Sequence, residues 1–140
     1  MLKRILFANK PYDLGLTIVR IFLGITIIPY GMEMFQAEAM TGYTSWLTDK
    51  SVPLPGFMAY VGKVAELLGG IFLIFGLFTR LSSLFLIITM AVITFVMSGG
   101  STTDYTFMLL LLFSVYLFAG GGKYSFDAVL EKRLKDDSKA

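Results

Sequence analysis

Residues Val61–Arg80 read VGKVAELLGGIFLIFGLFTR. The stretch is apolar and long enough to cross a bilayer, yet Lys63 and Glu66 lie well inside it. Wound as one helix at 100° per residue, it places Gly62, Glu66, Gly69, Leu73, Gly76 and Arg80 within about 80° of one another. Glycines seven apart on one stripe let a second backbone approach closely, and this stripe carries a carboxyl group with it. The stretch therefore predicts the packing seam of a membrane bundle with an ionisable group in the seam.

The rest of the chain agrees with that class. Of 140 residues, 56% are hydrophobic and only 16% charged, too few to coat a soluble domain. The length fits one domain. The chain has neither cysteine nor histidine. Disulfides, thiolate metal sites, iron–sulfur clusters, His-ligated haem and imidazole acid–base chemistry are thereby excluded, and no metal site is expected. A chain without these groups is a poor electron carrier and is not expected to be a catalyst on its own. No basic cluster interleaved with aromatics points to nucleic acid.

Four apolar runs predict an all-α, four-transmembrane-helix bundle with spans at about 14–35, 57–79, 81–97 and 104–120. A signal-peptide reading of the first run meets a long basic lead-in, Arg20 inside the run and a length fit for a full span, so the segment is expected to be retained. The connector 36–56 carries Tyr43, Trp46, Pro53 and Pro55. Its aromatics favour the headgroup level, so it is expected to lie on the membrane surface, with a short helix at Gly42–Leu47. The tail 123–140 is charged, and KYSFDAVLEKRLKDD fits an amphipathic surface helix. An even number of spans puts both termini on one side. That side carries Lys3, Arg4, Lys10, Arg80, Lys123, Lys132, Arg133, Lys135 and Lys139 against Lys50 on the other. The positive-inside rule makes both termini cytoplasmic.

Each ionisable residue inside a span costs roughly 2.5–3.5 kcal/mol unless compensated. Arg20 lies on a face that continues through Gly24 and Gly31, which predicts an interhelix tie; snorkelling and capture by Asp13 are the alternatives. Straight helices would separate Arg20 and Glu66 in depth by ~12 Å, which makes Lys63, one turn away, the nearer partner of Glu66. Glu66 then serves either as half of a local pair or as a proton-bearing group facing a small cavity. Glu33 is either a solvated helix end or a further partner of Lys63 if the Pro29 kink turns it inward. Asp104 stands where a carboxylate would cap the fourth helix.

VGKVAELLGGIFLIFGLFTRLSSL resembles the central signature of the DoxX family. Arg20, Gly24 and Tyr30-Gly31 are similar to that family's first-helix pattern. Gly120-Gly121-Gly122-Lys123-Tyr124-Ser125-Phe126-Asp127 is similar to its glycine-rich close. The resemblance covers roughly residues 14–130. It implies a four-helix protein of the bacterial inner membrane. Some members are subunits of thiosulfate:quinone oxidoreductase, and others belong with membrane-associated complexes handling thiol or oxidative stress. Tyr30 and Met34 stand where relatives often carry His and a basic residue, and Met97-Ser98 where His is common.

The expectation is a multi-pass accessory subunit in the bacterial inner membrane that docks a soluble oxidoreductase or offers it a site for a quinone or lipid, bound without covalent attachment. Arg20, Tyr30, Lys63, Glu66 and Arg80 would line the polar seam, and Gly24, Gly31, Gly62, Gly69 and Gly76 would pack the helices. A stand-alone lipid-binding or transport bundle using Glu66, and a purely structural or homo-oligomeric membrane protein, are the alternatives.

Overall fold

The computed structural model describes residues 12–138. Lys3, Arg4, Lys10 and Lys139, which enter the charge count above, lie outside them. Helix α1 (Tyr12–Met32) ends in a 3-10 turn, Glu33–Phe35. It is followed by α2 (Ala37–Asp49), α3 (Pro55–Phe75), α4 (Thr79–Ala91), α5 (Tyr105–Ala119) and α6 (Phe126–Asp137). Helix α4 runs on without a break into a π-helical turn, Val92–Met97. Helices α1, α3 and α4 with its π turn are long and apolar enough to cross a membrane, and α5 is a shorter apolar helix. The 21 residues of α3 span about 31 Å, the thickness of a hydrocarbon core.

The distribution of side chains is that of a membrane protein. Arg20, Lys63, Glu66, Thr79, Ser83, Thr94 and Thr106 are buried, while Phe22, Phe85 and Phe118 are exposed. Water would reverse that order; lipid favours it, because the outer surface meets hydrocarbon and polar groups find partners only inside. Leu73, Leu86 and Phe113 are completely enclosed at the centre. Helix α1 packs on α3 where a Cβ on Gly24 would lie 2.6 Å from the carbonyl oxygen of Gly70, and one on Gly31 would lie 2.6 Å from Leu67 Cα. Helices α4 and α5 are tied by Thr94 donating to Thr106 at 2.9 Å.

The single helix expected over Val61–Arg80 does not form. Helix α3 stops at Phe75, and Gly76 adopts φ +67°. Its N–H bonds to Leu73 O at 3.1 Å and the Leu77 N–H to Phe72 O at 2.9 Å, a Schellman stop. Arg80 consequently belongs to the first turn of α4 and leaves the stripe, and Gly76 both ends the helix and packs closely, since a Cβ there would lie 2.5 Å from Arg20 Nη1 and from Ser125 Cβ. Gly62 is also corrected, because a Cβ there would meet only Thr89 Cγ2 at 3.7 Å. Gly69 does pack tightly, against Leu86, and Gly70 is the seam residue the spacing rule passed over.

Two further expectations change. The connector helix runs over Ala37–Asp49 rather than Gly42–Leu47, because Met40 and Leu47 give it a buried face against Ala59 and Met97. Asp104 occupies the N-cap position of α5 without a side-chain capping bond.

Candidate functional site

The third and fourth turns of α3 carry Lys63 and Glu66, three residues apart on one face. The 3-10 turn after α1 swings Glu33 over that face, and α2 lays Tyr43 across it. Lys63 Nζ lies 2.9 Å from Glu33 Oε2 and 3.1 Å from Glu66 Oε2. The Tyr43 hydroxyl donates to the same Glu33 oxygen at 2.6 Å, and its ring lies under the ammonium, 4.0 Å from centroid to nitrogen. Of the two sequence alternatives for Glu33, the structure takes the inward one. Lys63 and Glu66 are buried to within a few per cent of their surface. Tyr43 lies in the connector, outside the spans, and its hydroxyl is held above the usual tyrosine range first by burial and then by its bond to Glu33.

The cluster borders open space. A cavity of about 260 Å³ is lined by Lys63, Glu66, Tyr30, Tyr43, Trp46 and Asp104, among others. Tyr30 stacks on Tyr105 at 6.0 Å between ring centroids, forming one wall. A second cavity of about 180 Å³ shares Lys63, Glu66, Tyr43 and Ile93 with the first, and is otherwise mostly apolar. The π turn forms part of both walls through Ile93. Such wide turns are frequent at functional sites.

Chemically, one ammonium faces two carboxylates in a low-dielectric setting. Full ionisation would leave a net negative charge, which a proton or an electropositive group beside the cavity would neutralise.

Other expected seam residues lie elsewhere. Arg20 is buried at the end of the bundle that carries α6, where Nη1 donates to Gly121 O and Nη2 to Tyr124 O at 3.0 Å. Among the described residues it makes no ion pair within 4.0 Å. Arg80 is exposed at that same end, with Nη2 3.4 Å from Phe118 O. It neither lines nor braces the Lys63–Glu66 seam, since it stands fourteen residues beyond Glu66, in the next helix. Asp127 completes this end, accepting the N–H groups of Phe78 at 2.7 Å and Thr79 at 2.9 Å. Residues that sequence reasoning did not place in the site are Tyr43, Trp46, Asp104 and Tyr105. A signal existed for the first two, whose three-residue spacing puts them on one face of α2; the other two are brought in by the fold.

The DoxX family model matches residues 15–99, more than half of the chain, from α1 through the π turn. A protein of Bacillus subtilis (strain 168) bearing the name "Putative oxidoreductase CatD" is 34% identical over 122 residues, covering 83% of this chain and 86% of the relative. No solved structure gives a significant match. With a family match from α1 through the π turn and a relative aligned over 86% of its length, the chain belongs to the DoxX family.

Proposed function

We propose that the protein is the membrane-embedded accessory subunit of an oxidoreductase and that the Lys63–Glu66–Glu33–Tyr43 cluster receives the polar head of a quinone or similar amphiphile. The observation that carries this reading is a buried, hydrogen-bonded charge cluster opening onto a cavity rather than closed over. An intramembrane charge cluster is a functional-site candidate by default, and one that lines free volume has room for a ligand. A cavity of about 260 Å³ with aromatic walls suits a head of one or two rings. Lys63 and Tyr43 can donate to a carbonyl, and the carboxyls can hold a proton beside it. Electrons would come from the soluble partner, since this chain has no cysteine or histidine to relay them. The oxidoreductase name of the Bacillus subtilis relative supports the same assignment.

In this proposal the positive-inside rule sets both termini in the cytoplasm of a bacterial inner membrane, and the cluster faces the outer side. A transport path through the bundle is disfavoured, because Leu73, Leu86 and Phe113 are completely buried beneath Glu66. The test is purification from the native host in mild detergent, with mass spectrometry for bound quinone and copurifying proteins. Wild type should retain both. Glu66→Gln should keep the partner and lose the quinone. A wild-type preparation with neither would overturn the proposal.

A further inference from the structure

We infer that the site binds its amphiphile by the tail as well as the head: a long apolar chain leaves the Lys63–Glu66 cluster between α3 and α4, passes Gly62, and lies in a groove along those helices. The inference rests on the proposed head site and adds the substrate class, an amphiphile bearing one extended hydrocarbon chain.

Three neighbouring volumes carry it, the first two sharing Lys63 and Glu66 and the last two sharing Val61. The apolar cavity beside Lys63 and Glu66 is bounded by Gly62, Ile88, Thr89 and Val92. Val61, Ile88 and Val92 are exposed, so this cavity reaches the lipid-facing surface. Val61 also lines a third, almost wholly apolar groove of about 480 Å³, which runs past Val64, Leu68, Phe72, Leu81 and Phe85. From Val61 to Phe72 the groove follows α3 for about 16 Å, roughly half the hydrocarbon thickness. Head site, exit and groove thus form one track from a polar terminus into the bilayer, the shape of an amphiphile.

Gly62 supplies an independent indication. A Cβ on Gly24, Gly69 or Gly70 would come within 2.6–2.9 Å of a neighbour, so packing demands those glycines. Gly62 meets only Thr89 Cγ2, at 3.7 Å. Its φ is not among the positive ones. Glycine is among the poorest helix formers, and neither packing nor backbone conformation requires it here. What its missing side chain provides is the width of the exit. Gly62 is therefore a specificity-determining residue for the chain, not for the head.

The test compares two probes on the full-length protein in lipid nanodiscs: menaquinone, with its long tail, and menadione, the same ring system without one. Concentrations are expressed as mole fraction in the bilayer, so membrane partitioning cancels. Wild type should prefer menaquinone by about tenfold or more, and Gly62→Leu should reduce that ratio to near one. Gly62→Ala, which adds only a Cβ in ordinary contact, should keep most of the preference and reports on folding of the altered helix. If wild type binds both probes and Gly62→Leu leaves the ratio unchanged, the tail track is wrong and the head site stands. Equal wild-type affinity for the two probes would reduce the groove to a seat for ordinary bilayer lipid. Binding of neither probe would remove the head site, and the track with it.

Discussion

Replacing Lys63 by methionine isolates what the buried cation contributes, because its two carboxylate partners sit in different surroundings. Glu33 keeps 29% of its side-chain surface exposed and retains the Tyr43 hydroxyl at 2.6 Å, so water and phenol can take over from the ammonium. Glu66 has only 2% exposed, and among the described residues Lys63 is its hydrogen-bond partner. The penalty therefore falls on Glu66. Breaking a buried pair by removing one partner typically costs about 3–5 kcal/mol, because the other charge is left desolvated and uncompensated. Methionine fills the space of the lysine stem, which keeps a cavity penalty out of the comparison. The double variant Lys63→Met/Glu66→Leu removes the stranded charge as well and should return to within about 1–2 kcal/mol of wild type. Lys135→Met, which breaks the exposed Lys135–Glu131 pair on α6, should leave unfolding unchanged. The assay is reversible unfolding in mixed detergent micelles followed by circular dichroism and by the fluorescence of Trp46, the one tryptophan in the chain and a lining residue of the cavity. A Lys63→Met protein within about 1 kcal/mol of wild type would refute the reasoning, and so would a double variant no more stable than the single.

Three further outcomes are expected. Gly24→Ala should destabilise by about 1–3 kcal/mol, since the new Cβ would sit 2.6 Å from the Gly70 carbonyl, which is backbone and cannot yield; Gly15→Ala, with nothing within 4 Å, should be neutral or stabilising in the same unfolding assay. Arg20→Met should cost at least about 1.5–3 kcal/mol by stranding the carbonyls of Gly121 and Tyr124, and hydrogen exchange should rise in residues 120–126 while the Trp46 signal near the cavity stays put. Tyr43 bonds Glu33 as a protonated phenol, and its folded-state value lies above the ordinary one of about 10. Its contribution is thus complete below that value and is lost as pH rises through the folded one, so strong alkali should loosen α2 in wild type, whereas Tyr43→Phe should lack that titration when Trp46 fluorescence is followed against pH.

Hydropathy and charge placement made the helices legible because lipid imposes few solutions: each span must be long, apolar and internally bonded. The pairing of Lys63 with Glu66 was legible for the same reason, being a one-turn contact set by helical geometry alone. Gly76 shows where that legibility ends. A glycine seven residues beyond Gly69 continues a packing stripe if the helix runs on, and terminates the helix if it does not. Nothing between Val61 and Arg80 decides between these. The decision comes from Asp127, which accepts the Phe78 and Thr79 N–H groups from 48 or more residues away and whose own N–H bonds to the Gly76 carbonyl at 3.0 Å. The cavity is equally non-local: Tyr30, Tyr43, Lys63 and Tyr105 come from four separate elements. The length of α2 was missed because its helicity depends on the buried anchors Met40 and Leu47 more than on local signals.

Among the described residues two cations are buried, and their contrast explains why the proposed site is assigned to one end and not the other. Arg20 and Lys63 have similar burial, and either could be nominated from sequence as the functional charge. Arg20 spends its Nη groups on backbone carbonyls of the segment that enters α6, and it crowds Gly76 so closely that a Cβ there would lie 2.5 Å from Nη1. None of the cavities described above is lined by Arg20, and its bonds fasten the segment entering α6 to the bundle. Lys63 is held by two carboxylates and an aromatic face, and it lines two cavities. Burial and charge are common to both cations, and what separates them is volume. A charge enclosed by its own fold stabilises that fold, whereas the cluster bordered by free volume is the one to which we assign the proposed ligand.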